Sequence, residues 1–164
     1  MPVILSFNLN GDQLLLRELR GWQIRALDAR PAFELMADAF GEAEARQFDS
    51  EGAYGSGGWA PLSPAYAAWK ERHYPGKPIL ERTGALRHAL TQRPFGVEHI
   101  EPHFGEFGLS ANVSTGPFYG QFHQDGTDNM PARPVVAFPE SLKREFVKIM
   151  QAWLVGGGGE RVPL

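Results

Sequence analysis

The run YGQFHQDGTDNMPARPVVAF, from Tyr119 to Phe138, decides how the chain is read. Pro117, just before it, stands where a helix can begin, because a first-turn residue has no N–H partner to lose. Phe118, Tyr119 and Phe122 then fall on one helical face, and Gly126 suits the left-handed turn that ends a helix. Pro131 and Pro134 stiffen the polar turn and set the start of a strand over Val135–Phe138, since proline is tolerated at a strand's first residue. The reading is a short helix, a loop and a last strand, and that strand needs a sheet. Nothing in the run forms a reaction centre; it reads as a rigid shape. His123 is assigned a hydrogen bond that holds the loop after it.

Outward from this run, two more stretches alternate with period two. Val3, Leu5, Phe7 and Leu9 form one strand, and Phe107, Leu109, Ala111 and Val113 form the clearest strand in the chain. Val97–Glu101 is a further strand, joined to it across Pro102, His103 and Gly105 as a hairpin. Helical spacing marks Leu15, Leu19, Trp22 and Ala26. It recurs in Phe33, Met36, Phe40, Ala43 and Gln47/Phe48, with Glu34, Asp38, Glu42 and Arg46 on the solvated face. Asp28 and Pro31 start that second helix, and Ser63-Pro64 starts a short one carrying Tyr66, Trp69 and Lys70. Leu86 and Leu90 sit one turn apart, and Leu142, Phe146, Ile149, Met150, Trp153 and Leu154 give a last helix a broad apolar face. Between Ser50 and Pro61, four glycines (52, 55, 57 and 58) read as a flexible loop. The order implies an α+β fold: a small, mostly antiparallel sheet of about four strands, helices gathered largely on one face, and a long C-terminal helix. One domain is expected over residues 1–155, with a flexible glycine-rich tail over 156–164.

Composition narrows the function. The chain has 164 residues, 43% hydrophobic and 12% aromatic, enough for one domain with a proper core and no stapling. Cysteine is absent, which removes disulfides, thiolate nucleophiles and cysteine-bound zinc, and suits a reducing compartment. A net charge of −3 lacks the basic footprint of a nucleic-acid binder. No apolar run approaches a membrane span, and the first residues lack the pattern of a signal peptide.

Chemistry is sparse. The five histidines, His73, His88, His99, His103 and His123, include no HExxH pair, and no metal or other cofactor is expected. There is no Gly-x-Ser-x-Gly elbow. The carboxylate pairs Glu42/Glu44 and Asp125/Asp128 lie in helix faces or loops. The Gly52–Gly58 loop lacks the Gly-Lys-Ser/Thr ending of a phosphate loop. Trp59, Tyr66 and Trp69 near Lys70 have the make-up of a base-stacking platform, but on an acidic chain they read as core. Pro131 and Pro134 match a PxxP ligand and are explained more simply by the start of a strand.

Four pieces in order carry a resemblance: Phe48-Asp-Ser-Glu-Gly52; Trp59-Ala-Pro-Leu-Ser63 with Tyr66 and Lys70; Ile79-Leu-Glu-Arg-Thr-Gly84 with Leu86; and Tyr119–Gly126 followed by Met130-Pro-Ala-Arg-Pro134. The chain resembles bacteriophage tail-completion, or virion morphogenesis, proteins of the Mu G-like kind, departing at Gly120, where that family more often has alanine. The resemblance implies a non-enzymatic virion protein at the head–tail junction, or neck, assembled in the host cytoplasm. It implies a homo-oligomeric ring, commonly hexameric, between connector or adaptor proteins and the tail terminator or tail tube, with DNA sliding through the lumen without specific binding. A tail terminator, a stopper or a minor capsid protein is the near alternative; a small phage hydrolase or a nucleic-acid-binding module is more remote. Trp59, Leu62, Tyr66 and Trp69 are expected to clamp the long loop to the body. With His123 and Arg133, they are the candidate interface residues. Arg133 has two readings, a bidentate pair with a carboxylate or a cap on backbone carbonyls; on the interface reading, Arg133→Ala leaves the monomer folded and weakens assembly.

Overall fold

The computed structural model describes residues 12–92, 97–101, 106–109 and 119–156, with 97–101 and 106–109 as backbone. The α+β expectation is overturned: the described residues are helical. In chain order they form α1 (Asp12–Leu27), α2 (Arg30–Asp49), α3 (Pro64–His73), α4 (Ala85–Thr91), β1 (Val97–Glu101), β2 (Glu106–Leu109), α5 (Gly120–Asp125) and α6 (Glu140–Gly156). Extended pairing among them is confined to the antiparallel β1–β2 hairpin and an isolated bridge between Thr127 and Met130. The expected strand over residues 3–9, the far end of the Phe107–Val113 strand, Pro117, Phe118 and the tail after Gly156 lie outside the described residues. No helix among those described is long and apolar enough to cross a membrane.

The organising element is α2. Asp28 receives the Arg30 main-chain N–H at 3.3 Å and pairs with the Arg30 guanidinium, and Pro31 sits in the first turn. The stripe read from sequence is buried, but burial extends further round the helix, to Ala32, Ala37, Ala39 and Glu44. Its first half packs on Leu142 and Ile149 of α6, with Phe146, Met150 and Trp153 half-buried against the same core. Its last turn packs Phe48 with Trp59, Leu86 and Leu90 of α4, and Val135. Among the described residues, helices therefore pack on a helix, and no sheet serves as their floor.

The strand assigned to Val135–Phe138 is an extended segment with a bend at Val135–Val136, and its hydrogen bonds explain the correction. A strand needs neighbours because its backbone groups must be satisfied. Here side chains supply that. Gln124 Oε1 accepts from Val135 N and Val136 N, both at 3.0 Å, and its Nε2 donates to Val136 O at 3.1 Å. Gln47 Nε2 and Trp59 Nε1 donate to Pro134 O at 3.0 and 2.7 Å, and Glu44 Oε1 accepts from Ala137 N at 3.2 Å. The segment is threaded across α2 with the polar ends of α2 and α5 standing in for sheet partners.

The loop from Ser50 to Pro61 is a tight coil and not a flexible one. Gly52 N donates to Gln47 O, Ser56 N and Gly58 N donate to Gly52 O, and Trp59 N donates to Glu51 O at 2.7 Å. Gln47 closes it from inside, bonding Ser56 Oγ at 2.9 Å and accepting from Gly55 N at 2.9 Å.

Candidate functional site

A cavity of about 520 Å³ opens between α3, the turn at residues 80–85, α5 and the turn at residues 129–133. It brings together Leu62, Tyr66, His123 and Arg133, four of the six residues singled out from sequence. Trp59 lies outside it in the core, edge-on to Phe48 with ring centroids 5.3 Å apart, and it does pin the coil to the segment at Pro134. Trp69 lies on the outer side of α3. Its ring stacks between Tyr66 at 5.5 Å and His73 at 4.6 Å, so Tyr66 and Trp69 line a helix surface and do not clamp the loop.

The consequence for α3 is an inversion of the usual pattern. Ser63 caps it by accepting from Tyr66 N at 3.4 Å, and Pro64 opens it. Its aromatics stack outward, Tyr66 being 43% exposed, while its one buried residue is Lys70. The ammonium donates to Pro78 O, and burial pulls its pKa down against the opposing pull of Glu51, Glu81 and Glu71. Lys70 stands four residues from Tyr66 and so shares its side of the helix. That spacing was the available signal; its depth was not legible.

On the facing wall, Arg133 is 4% exposed. Its main-chain N–H donates to His123 O at 2.7 Å, Nε to Ala60 O at 2.7 Å and Nη2 to Pro61 O at 2.8 Å. Of its two readings, the carbonyl cap is the one built: the guanidinium holds the end of the coil while the main-chain N–H of the same residue holds α5. Arg133→Ala is therefore expected to destabilise the monomer itself, by roughly 1–3 kcal/mol, because charge-assisted bonds are lost and two carbonyls must find water. Urea denaturation checks this; an unchanged midpoint would return Arg133 to an interface role.

His123 is half-buried, and among the described residues Nδ1 has no hydrogen-bond partner. Burial, then the charge of Arg133, lower its pKa, so its imidazole is neutral at pH 7. The loop-holding bond assigned to it is made by its main-chain carbonyl and not by its ring. Leu80, on the cavity wall, has φ +63°, an uncommon conformation for a leucine that its sequence does not announce. Glu81, also lining the cavity, is held by Arg87 Nη1 at 2.8 Å, while Arg87 Nη2 reaches Asp49 at 2.7 Å and so ties α4 to the end of α2. Among the described residues no three His, Asp or Glu side chains converge as a metal site would require.

Compared with protein-family models, curated proteins and solved structures, the chain matches none.

Proposed function

We propose that the chain is a non-catalytic structural subunit of a tailed phage or phage-derived particle. In this reading it is a tail-completion protein that joins copies of itself into a ring at the head–tail junction. The observation that carries the assembly part is α1. It has no buried residue, yet Leu14, Leu15, Leu16, Leu19, Trp22, Ile24 and Leu27 are all exposed on it. It is anchored at one end. Arg25 Nε donates to Leu154 O at 2.7 Å, near the end of α6, and Trp153 Nε1 donates back to Arg25 O at 3.1 Å. Each large side chain gains roughly 1.5–3 kcal/mol on burial, so a helix this apolar is a surface for another subunit. Copies of the chain are the occupant, as a ring subunit requires a self-complementary or head-to-tail surface. The neck location, the ring's size, its connector and tail neighbours and its unreactive lumen rest on the resemblance of the four sequence pieces; a terminator, stopper or minor capsid role would use the same surface.

The hydrolase reading has the cavity to recommend it, with His123 and Lys70 on its lining. An acid–base histidine is normally oriented through its second nitrogen, and His123 Nδ1 has no partner to do so.

Native mass measurement of the purified chain, alone and mixed with the products of neighbouring genes, tests the proposal. The wild type is expected to form a closed oligomer. Leu19→Glu, at a side chain that is 47% exposed and outside the buried core, is expected to keep the helical circular dichroism while the oligomer is lost. A wild-type chain that stays monomeric with every neighbour, or a Leu19→Glu variant that assembles normally, would sink the reading.

A further inference from the structure

We propose that the cavity beneath α3 is a binding site for a carboxylate carried on an apolar body. Two cations line it at depth: Lys70 and Arg133 are each 4% exposed. Buried cations are ordinarily paired with anions, because desolvation costs more than neutral hydrogen bonds return. These two are not. Their hydrogen bonds go to main-chain carbonyls, Lys70 to Pro78 O and Arg133 to Ala60 O and Pro61 O. Among the described residues no carboxylate forms an ion pair with either one.

Glu51, Glu81 and Glu71 act on Lys70 only at longer range, and the first two each have an oxygen engaged elsewhere. Glu81 is gripped by Arg87, and Glu51 Oε1 accepts from Ile79 N at 2.8 Å. Arg82 adds a third cation to the lining, against Glu81 as the lining's one carboxylate. An ammonium has three donors and a guanidinium five, so both buried cations keep donors beyond those used on the carbonyls.

The rest of the wall sets the ligand's other half. Leu62, Leu80, Leu86, Met130 and Pro131 are apolar, and the volume lies within the range of roughly 300–1,000 Å³ common for small-ligand sites. Such walls disfavour phosphate, whose sites are usually built from converging main-chain N–H groups and whose second charge adds desolvation cost. A single carboxylate next to an alkyl or aryl group satisfies both parts. Strain points to the same place. Leu80 (φ +63°) forms the wall, and Glu51 (φ +46°) holds the N–H of its neighbour Ile79. Non-glycine residues held in this region persist where the surroundings over-determine them, commonly at ligand sites. The cavity's chemistry is the same whether or not the chain assembles into a ring.

Two sources supply this chemistry, a free organic acid or a Glu side chain flanked by apolar residues in a peptide. Titration of the full chain by NMR and calorimetry separates them. The probes are 3-phenylpropionate, its neutral amide, inorganic phosphate, and the peptides acetyl-Leu-Glu-Leu-amide and acetyl-Leu-Gln-Leu-amide. The acid, the Glu peptide or both are expected to bind about tenfold more tightly than the neutral counterpart and to shift the main-chain resonances of residues 80–85. Whichever binds more tightly names the source. Lys70→Met, which keeps the apolar stem, and Arg82→Gln are each expected to remove most of that preference. Arg82 is exposed, so its substitution tests the site even if Lys70→Met does not fold. Equal binding of charged and neutral probes, no binding by either acid, a preference unchanged in Arg82→Gln, or phosphate binding ahead of both carboxylates would overturn the proposal.

Discussion

Glu44→Gln is expected to stabilise the protein by roughly 3 kcal/mol at pH 8 and to change it little at pH 4. Glu44 is 0% exposed, between α2 and the segment threaded over it. One carboxyl oxygen accepts from Ala137 N at 3.2 Å; the other has no partner. Burial is the dominant influence and raises its pKa from 4.5 to about 8, with the Ala137 hydrogen bond pulling the other way. The sign follows from proton counting. Between pH 4.5 and about 8 the folded state keeps a proton that the unfolded state has released. Stability is therefore full below the unfolded value and is lost as pH rises through the folded one. Glutamine keeps the acceptor for Ala137 N and has nothing to ionise, so the alkaline loss should vanish from the variant. Urea midpoints of both proteins from pH 4 to pH 9 measure it. Parallel curves would show that Glu44 reaches water in the folded protein.

Gly52→Ala should cost roughly 3–5 kcal/mol, the sum of a backbone and a packing term. The φ of Gly52 is +87°, and a Cβ there would lie 2.4 Å from Trp59 Cδ1, in a ring fixed by its edge-on contact with Phe48 and its hydrogen bond to Pro134 O. The ring cannot retreat without giving up Pro134 O, and the coil cannot open without freeing Gly52 N and O, which close its hydrogen bonds. Gly57 separates the two contributions. Its φ is +77°, but nothing lies within 4 Å of a Cβ built there. Gly57→Ala should thus show the backbone term alone, about 1–2 kcal/mol. Equal losses at both positions would mean that the Trp59 contact carries no weight.

These two sites also show why the sequence pattern and the fold class part company. The proline placement at 131–134 suits the start of a strand, and the segment that follows bends at Val135–Val136. What makes extended chain into a sheet is a second backbone alongside. Gln47, Gln124, Glu44 and Trp59 take that position instead, from positions 11 to 93 residues away in sequence. The glycines of the coil were read as freedom of movement, although Gly52 is there because Trp59 leaves no room for a side chain.

What the sequence determined by itself is the set of helices: apolar spacing, the Ser63-Pro64 start and the Leu86/Leu90 pair all report local geometry, which neighbouring residues control. It also marked Leu62, Tyr66, His123 and Arg133, which the fold gathers at one cavity. Tertiary structure alone decided that α2 would be the floor of the core, that α1 would bury no residue among those described, and that Glu44, Lys70 and Arg133 would be buried ionisable groups. Periodicity gives the direction in which a side chain points from its own helix. Burial and pairing depend on what other segments bring to that side, and those contacts join residues far apart in the chain.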